Sequence, residues 1–176
     1  YLNLFSFFML ILVSSGNLLQ LYLGWEGVGL CSYLLIGFWF YKESASNAAL
    51  KAFIVNRVGD MFFILGIILI YLTFNSITFT NIFSNFNSYS GIKYNFLFFD
   101  VDAINIICLF LILGAMAKSA QIGFHTWLPD AMEAPTPVSA LIHAATMVTV
   151  GVFLICKMSL FFNNSIFASN FLIFIG

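Results

Sequence analysis

The sequence predicts an all-α protein that crosses a membrane several times. Of its 176 residues, 62% are hydrophobic and only 7% are charged, and the mean hydropathy is +1.03. Soluble domains contain about 25% charged residues. Long apolar segments alternate with short polar turns along the chain. We therefore predict five membrane helices, one of them broken, and the start of a sixth.

The predicted helices cover residues 1–13, 18–41, 48–74, 101–125 (broken) and 137–162, and a further helix starts within 163–176. At 1.5 Å per residue the first helix reaches about 20 Å, which is short of a hydrocarbon layer of about 30 Å, so we expect it to be truncated. Asn17 is the predicted N-cap of the second helix, and Thr136 and Pro137 are the predicted N-cap and first residue of the fifth. Residues 75–100 are rich in Asn and Ser and are predicted to form a loop whose aromatic side chains lie at the headgroup level.

The break in the fourth helix follows a lysine. Lys118 lies in an apolar segment, and proline-containing sequences, 126–130 and 135–137, come soon after it. Proline has no backbone N–H and disfavours helical conformation in the residue before it. A buried charge and a broken helix are both costly in hydrocarbon. Their occurrence together favours a role in moving ions or protons.

Three more charged residues lie within the predicted spans. Glu26 is about eight residues into the second helix, or roughly 12 Å from its start. The alternative position, at a helix end in water, leaves about 15 residues before Lys42, too few for an easy span. Arg57 and Asp60 share one face of the third helix. The alternative for these two is an ion pair near the membrane interface, with the Arg57 side chain reaching towards water.

We interpret Glu26, Asp60, Lys118 and His143 as a proton relay. His143 lies roughly 9 Å into the fifth helix, which places all four groups in one central layer. Paired charges offset each other's desolvation, and a buried lysine that loses its partner favours its neutral form. A histidine can pass protons on near neutral pH. The alternative is a static ion pair that specifies helix packing. His125 is either a polar lining residue or a secondary member of the relay.

The remaining charged residues are given structural roles. Asp100 and Asp102 lie where a helix N-terminus stabilises acidic groups, so we expect them to cap the fourth helix. Asp130 and Glu133 are expected to be loop charges in water or contacts to a neighbouring chain. Lys157 is expected to extend towards the membrane interface.

Composition also excludes several functions. The net charge of −1 gives no basic surface for nucleic acid. Cys31, Cys108 and Cys156 are widely spaced in apolar segments, so we predict neither a metal site nor a disulfide framework. The sequence contains no nucleotide fingerprint, haem ligand pair or iron–sulfur spacing. We predict that this chain performs no redox chemistry and binds no cofactor.

Two long segments resemble a known family. Residues 24–39, GWEGVGLCSYLLIGFW, and residues 117–155, AKSAQIGFHTWLPDAMEAPTPVSALIHAATMVTVGVFLI, are similar to the antiporter-like membrane subunits of NADH:ubiquinone oxidoreductase (respiratory complex I) and of multisubunit sodium/proton antiporters. Residues 47–66 agree with the segment between them. The resemblance covers nearly the whole chain and is weakest across 75–100. It implies two inverted five-helix repeats, of which this chain resembles the first.

The resemblance also implies roles and partners. The family's functional glutamate, lysine and histidine fall on Glu26, Lys118 and His143, and Asp60 matches an acidic position of the family. FMN, iron–sulfur clusters and ubiquinone are then expected in other subunits, and quinone reduction there drives proton translocation here. The expected partners are other membrane-arm subunits, a second chain or segment carrying the other repeat, and lipids.

The expected location of the chain is the mitochondrial inner membrane, with a bacterial or plastid membrane as the alternative. Val150 departs from the family, which more often has a small residue there. Because only one repeat is present, we expect either a split gene or a partial sequence.

Overall fold

The computed structural model describes residues 1–89, 91–96 and 99–175, without the side chains of 95–96, 99–100 and 141–144. Its elements, in chain order, are α1 Leu2–Val13, α2 Leu18–Ile36, α3 Glu43–Phe74, α4 Phe79–Ser84, α5 Phe86–Tyr89, β1 Lys93–Phe96, β2 Phe99–Asp102, α6 Ala103–Lys118, α7 Trp127–Asp130, α8 Thr136–Val138, α9 Thr149–Lys157, α10 Ser159–Asn163 and α11 Ile166–Ile175. Short 3-10 turns follow α2 and α7, and a π-helical segment, Ser139–Thr146, joins α8 to α9. The all-α membrane fold is confirmed.

Two of the described helical segments are long and apolar enough to cross a membrane. They are Leu18–Trp39, which is α2 with its 3-10 turn, and α3, with 22 and 32 residues. Shorter apolar helices are α1, α6 and α11. At 1.5 Å per residue α3 measures about 48 Å, which exceeds a hydrocarbon layer of about 30 Å. Part of α3 therefore extends beyond the layer or the helix tilts within it.

The bundle is arranged around α3. This helix packs against both α2 and α6, while α1 packs on α2 and α9 packs on α6. Small residues allow the closest approach, since a Cβ built on Gly59 of α3 would lie 2.1 Å from the Cβ of Ala117 in α6. A Cβ built on Gly114 of α6 would lie 2.9 Å from the Cβ of Phe63 in α3. The α3–α6 contact holds the carboxylate of Asp60 beside the end of α6.

Several predicted boundaries are corrected. Helix α3 begins at Glu43 and not near residue 48, because Glu43 occupies its first turn, where the helix dipole stabilises a carboxylate. Helix α6 begins at Ala103, since β2 occupies the two residues before it. Asn17 is confirmed as the N-cap of α2, and its side chain accepts a hydrogen bond from the N–H of Gln20 at 2.7 Å.

The predicted loop at 75–100 is wrong. This segment contains α4, α5, strand β1 and the first part of β2, and the two strands pair antiparallel. Two of its aromatic side chains, Phe79 and Phe86, are buried in the protein. Phe86 is buried, with its ring 5.0 Å from that of Phe161 and 6.1 Å from that of Phe74. Burial of this aromatic surface orders a segment that its polar composition alone would leave irregular.

The predicted fifth helix is not one continuous α-helix. Its first turn is α8, which begins at Thr136 with Pro135 as N-cap, one residue earlier than predicted. The π-helical segment then leads to α9 and α10. π-Helical turns are rare and often occur at functional sites. His143 lies within this segment, and its side chain is outside the described residues.

Two apolar clusters make up the core. One contains Trp25, Phe63 and Ala115, and the other contains Val28, Ala52 and Trp127. Along α2 and α3, the change from one cluster to the other occurs at the level of Glu26, Arg57 and Asp60. These charged groups therefore lie between the two apolar clusters.

Candidate functional site

A buried ion pair lies where α3 and α6 meet. The Nζ of Lys118 is 3.5 Å from the Oδ1 of Asp60, and the two side chains are 1% and 5% exposed. Lys118 is the last residue of α6, where the C-terminal end of the helix dipole favours a cation. The same Asp60 oxygen accepts a hydrogen bond from the Nε1 of Trp25 at 2.7 Å. Asp60 therefore connects α2, α3 and α6.

The ammonium group of Lys118 has few partners. Besides Asp60, it lies 5.8 Å from the centroid of the Trp25 ring, a cation–π contact. At 3.5 Å the contact with Asp60 is long for a charge-assisted hydrogen bond. Among the described residues Nζ has no hydrogen-bond partner. Such a buried cation is held mainly by electrostatic attraction to one carboxylate, which makes it sensitive to the charge of that carboxylate.

A second ion pair lies beside the first. Arg57 forms a salt bridge to Glu26, and Glu26 also accepts a hydrogen bond from the hydroxyl of Tyr22 at 2.6 Å. The Glu26 side chain is 19% exposed and that of Arg57 is 48% exposed. The alternative in which Arg57 pairs with Asp60 is wrong. Arg57 and Asp60 are three residues apart and share a face of α3. The packing of α2 nevertheless places Glu26 beside Arg57, and Asp60 pairs with Lys118.

The residues after Lys118 form the helix break. Residues 119–126 contain turns, and Ala120 and Gly123 have φ angles of 51° and 92°. The Nε1 of Trp127 donates to the carbonyl oxygen of Ala117 at 3.1 Å, and the hydroxyl of Ser119 donates to the carbonyl oxygen of Val148 at 2.8 Å. These side-chain bonds satisfy backbone groups that a broken helix would leave unpaired in hydrocarbon.

Other predicted residues have different environments. His125 is exposed in the turn region and is not part of the buried layer. Asp102 is the N-cap residue of α6, and within the described part of the chain its side chain makes no capping bond. The Asp100 side chain is outside the described residues. Among the described residues, no three His, Cys, Asp or Glu side chains lie close enough together to hold a metal ion.

Two lysines bond to distant segments of the same chain. The Asp130 side chain is 44% exposed, as expected for a charge in water, and it pairs with Lys51 at 2.6 Å. Lys157 reaches the turn between α1 and α2. Its ammonium donates to the carbonyl oxygen of Ser15 at 2.6 Å and to the hydroxyl of Ser15 at 3.0 Å, and it lies 4.5 Å from the centroid of the Phe79 ring. Both lysines join segments that are distant in sequence.

Sequence reasoning missed three site residues. Trp25 bonds to Asp60, Tyr22 bonds to Glu26, and Asn56 is buried one turn before Asp60 on α3. Spacing in the sequence could have indicated two of them: Tyr22 precedes Glu26 by four residues, and Asn56 precedes Asp60 by four, so each pair shares a helix face. No local signal connects Trp25 to Asp60, because that contact joins two helices.

The fold and the ion pairs define a polytopic helical membrane protein with charged residues buried inside its bundle. The profile of the family described as NADH:quinone oxidoreductase/Mrp antiporter, transmembrane, matches residues 15–176. The chain belongs to this family.

The chain has similar relatives in Rickettsia conorii and Marchantia polymorpha. It is 58% identical over its whole length to NADH-quinone oxidoreductase subunit L of Rickettsia conorii, covering 26% of that protein. It is 53% identical to NADH-ubiquinone oxidoreductase chain 5 of Marchantia polymorpha, again over its whole length and 27% of that protein. The chain thus spans about a quarter of the length of these relatives. The predicted resemblance is confirmed.

Solved structures have the same fold. A chain of an Mrp complex from Dietzia sp. matches 86% of this chain with a TM-score of 0.74 and 29% identity, over 16% of its own length. A chain of the membrane-bound sulfane sulfur reductase, an archaeal respiratory membrane complex, matches 96% of this chain with a TM-score of 0.81 and 18% identity, over 32% of its length. The second likeness concerns the fold alone.

Proposed function

We propose that this chain translocates protons as part of the membrane arm of NADH:quinone oxidoreductase, in the mitochondrial inner membrane. Glu26, Asp60, Lys118 and His143 carry the protons, and Arg57 holds Glu26. The observation that carries the proposal is the Lys118–Asp60 pair, with side chains only 1% and 5% exposed and an ammonium group without a hydrogen-bond partner among the described residues.

The two neighbouring ion pairs support a switch. Each carboxylate is stabilised by one cation, Asp60 by Lys118 and Glu26 by Arg57. If a proton leaves Lys118, Asp60 loses its counter-charge and the most favourable position for a proton in the layer changes. Conversely, a charge change near Glu26 alters the stability of the Lys118 ammonium group. The same interactions can therefore retain a proton in one state and release it in another.

The energy for this movement is proposed to come from other subunits. FMN, iron–sulfur clusters and ubiquinone belong to those subunits in the proposal, and quinone reduction there drives the charge changes here. Other membrane-arm subunits, a chain or segment carrying a second five-helix repeat, and lipids surround this one. Its own contribution is to hold, neutralise and release protons at the four relay residues.

Replacing Lys118 by methionine in the assembled complex tests the proposal. In proteoliposomes we expect fewer protons translocated per NADH oxidised, while the complex still assembles and oxidises NADH. Lys93→Met is the matched control, because Lys93 is exposed in β1, before the start of α6, whereas Lys118 is at the other end of that helix. An assembled Lys118→Met complex that translocates as many protons per electron as the wild type would overturn the relay.

Two other functions compete with this one. Similarity to the Dietzia Mrp chain favours a subunit of a multisubunit cation/proton antiporter, coupled to sodium and not to redox chemistry. Co-purification with flavin and iron–sulfur subunits distinguishes the two. The other alternative is a structural membrane-arm subunit in which the Lys118–Asp60 pair is static, and the Lys118→Met measurement separates it from the relay.

A further inference from the structure

A buried asparagine lies next to the ion pair. Asn56 is 4% exposed and precedes Asp60 by four residues on α3, so the two side chains share one face of the helix about 6 Å apart along its axis. The Nδ2 of Asn56 donates to the carbonyl oxygen of Ala52 at 2.9 Å. This bond fixes the orientation of the amide, because the flipped orientation would place two acceptors against each other.

The amide oxygen of Asn56 is left without a donor among the described residues. Lys118 Nζ, which also has no hydrogen-bond partner among the described residues, is a donor. A water molecule can join such groups, since it accepts from an ammonium group and donates to an amide oxygen. Asn56 lies one helical turn from Asp60 on α3, and the Asp60 carboxylate is 3.5 Å from Nζ.

The same face of α3 leads outward to a polar cleft. Ala48, Ala52, Asn56 and Asp60 follow each other at four-residue intervals, and all four are at most 5% exposed. A cleft of about 640 Å³ is lined by Ala48 together with polar side chains, Ser44, Asn47, Lys51, Asp130, Glu133 and Thr136. The two residues between this cleft and Asp60 are an alanine, which occupies little space, and the asparagine.

An exposed ion pair lies in the cleft. Lys51 and Asp130 meet at 2.6 Å across it, and their side chains are 45% and 44% exposed. Exposed ion pairs of this kind contribute little to stability, so they can open and close readily. Asp130 belongs to α7, directly after the helix break, so a movement of the break would also move one side of the cleft.

We propose that Asn56 anchors an internal water on the path by which protons reach Lys118 from the cleft beside Lys51 and Asp130. The water receives a proton from the cleft side and delivers it to the neutral amine of Lys118, with Asn56 holding the water oxygen in place. Asn56 acts as a positioning residue and is not itself protonated. This inference rests on the proposed function for its role in transport, but the water site is independent of it.

Substitution of Asn56 tests the transport role in the assembled complex. We expect Asn56→Leu, which keeps the size of the side chain and removes its oxygen, to slow NADH-driven proton translocation several-fold with assembly retained. The control is Thr73→Val, because Thr73 is also buried on α3 but bonds only to the carbonyl oxygens of Leu69 and Ile70. Wild-type translocation in an assembled Asn56→Leu complex would overturn the transport role.

Electron cryo-microscopy of the same complexes tests the water site. We expect an ordered water within about 3.2 Å of the Asn56 amide oxygen in the wild type and none at that position in Asn56→Leu. A wild-type map in which a protein side chain fills the position would overturn the site. If Lys118→Met pumps normally while the water is present, the proposed function fails and the water site stands.

Thiol modification tests the cleft. In a Cys156→Ser background, which removes the exposed native cysteine, Ser44→Cys places a thiol in the cleft and Ser46→Cys places one in a different pocket. A charged methanethiosulfonate reagent is expected to slow translocation in the Ser44→Cys complex and not in the Ser46→Cys complex. Equal translocation by the two modified complexes, or failure of Ser44→Cys to react, would exclude the cleft as the access route.

Discussion

Gly29 of α2 faces the ammonium group of Lys118, which is the last residue of α6. A Cβ built on Gly29 would lie 2.8 Å from Nζ. Glycine at this position therefore leaves the space that the buried lysine occupies. The sequence motif 24–39, which contains Gly29, is thereby connected to the motif at 117–155, which contains Lys118.

The Gly29→Ala substitution is expected to displace the ammonium group and impair proton translocation. The displaced atom is the end of a flexible side chain, so we expect the complex to assemble normally. The measurement is the number of protons translocated per NADH oxidised. Gly16→Ala is the matched control, because a Cβ there would meet nothing within 4 Å. Unchanged translocation by Gly29→Ala would show that the lysine position is not critical.

Gly59→Ala is expected to act on stability. The added Cβ would lie 2.1 Å from that of Ala117, so α3 and α6 would have to move apart. Overpacking of this kind typically costs about 1–3 kcal/mol. Less assembled complex and a lower thermal midpoint in detergent are the expected results, again with Gly16→Ala as control. A Gly59→Ala complex as stable as the wild type would mean that the two helices separate easily.

Trp25→Phe removes the donor that bonds to Asp60 at 2.7 Å and retains an aromatic ring against Phe63. Loss of a hydrogen bond to a buried charged group costs about 1.5–3 kcal/mol. We expect a lower thermal midpoint together with altered translocation, because Asp60 would then depend on Lys118 alone. Tyr71→Phe, which removes a polar group at an exposed position of α3, should change neither quantity. The prediction fails if both substitutions have the same small effect.

Lys157→Met is expected to destabilise the fold without affecting translocation per NADH. Lys157 bonds to the backbone and side chain of Ser15 and thereby joins α9 to the turn between α1 and α2. We expect a loss of about 1–2 kcal/mol, measured as a lower thermal midpoint. Ser15→Ala removes only the hydroxyl bond and should have a smaller effect. Equal effects of the two substitutions would assign the stabilisation to the hydroxyl bond alone.

The helical membrane fold could be predicted from the sequence because hydrocarbon requires each spanning segment to satisfy its own backbone. Apolar segments of 20 or more residues have few alternatives to a helix there. The segment at 75–100 lacked this constraint. Phe86 of this segment packs against Phe74 and Phe161, and Phe161 is distant in sequence, so the local composition could not indicate that contact.

The charged residues of the site, Glu26, Arg57, Asp60 and Lys118, were determined by the sequence, because charged groups in apolar segments are costly and stand out. Their pairing was decided only by the tertiary structure. Attraction between charges on different helices depends on the distance between them. The close contact of Gly59 with Ala117 brings Lys118 next to Asp60, and Glu26 of α2 forms its salt bridge with Arg57. Helical spacing relates residues on one helix, but it contains no information about which neighbouring helix each face meets.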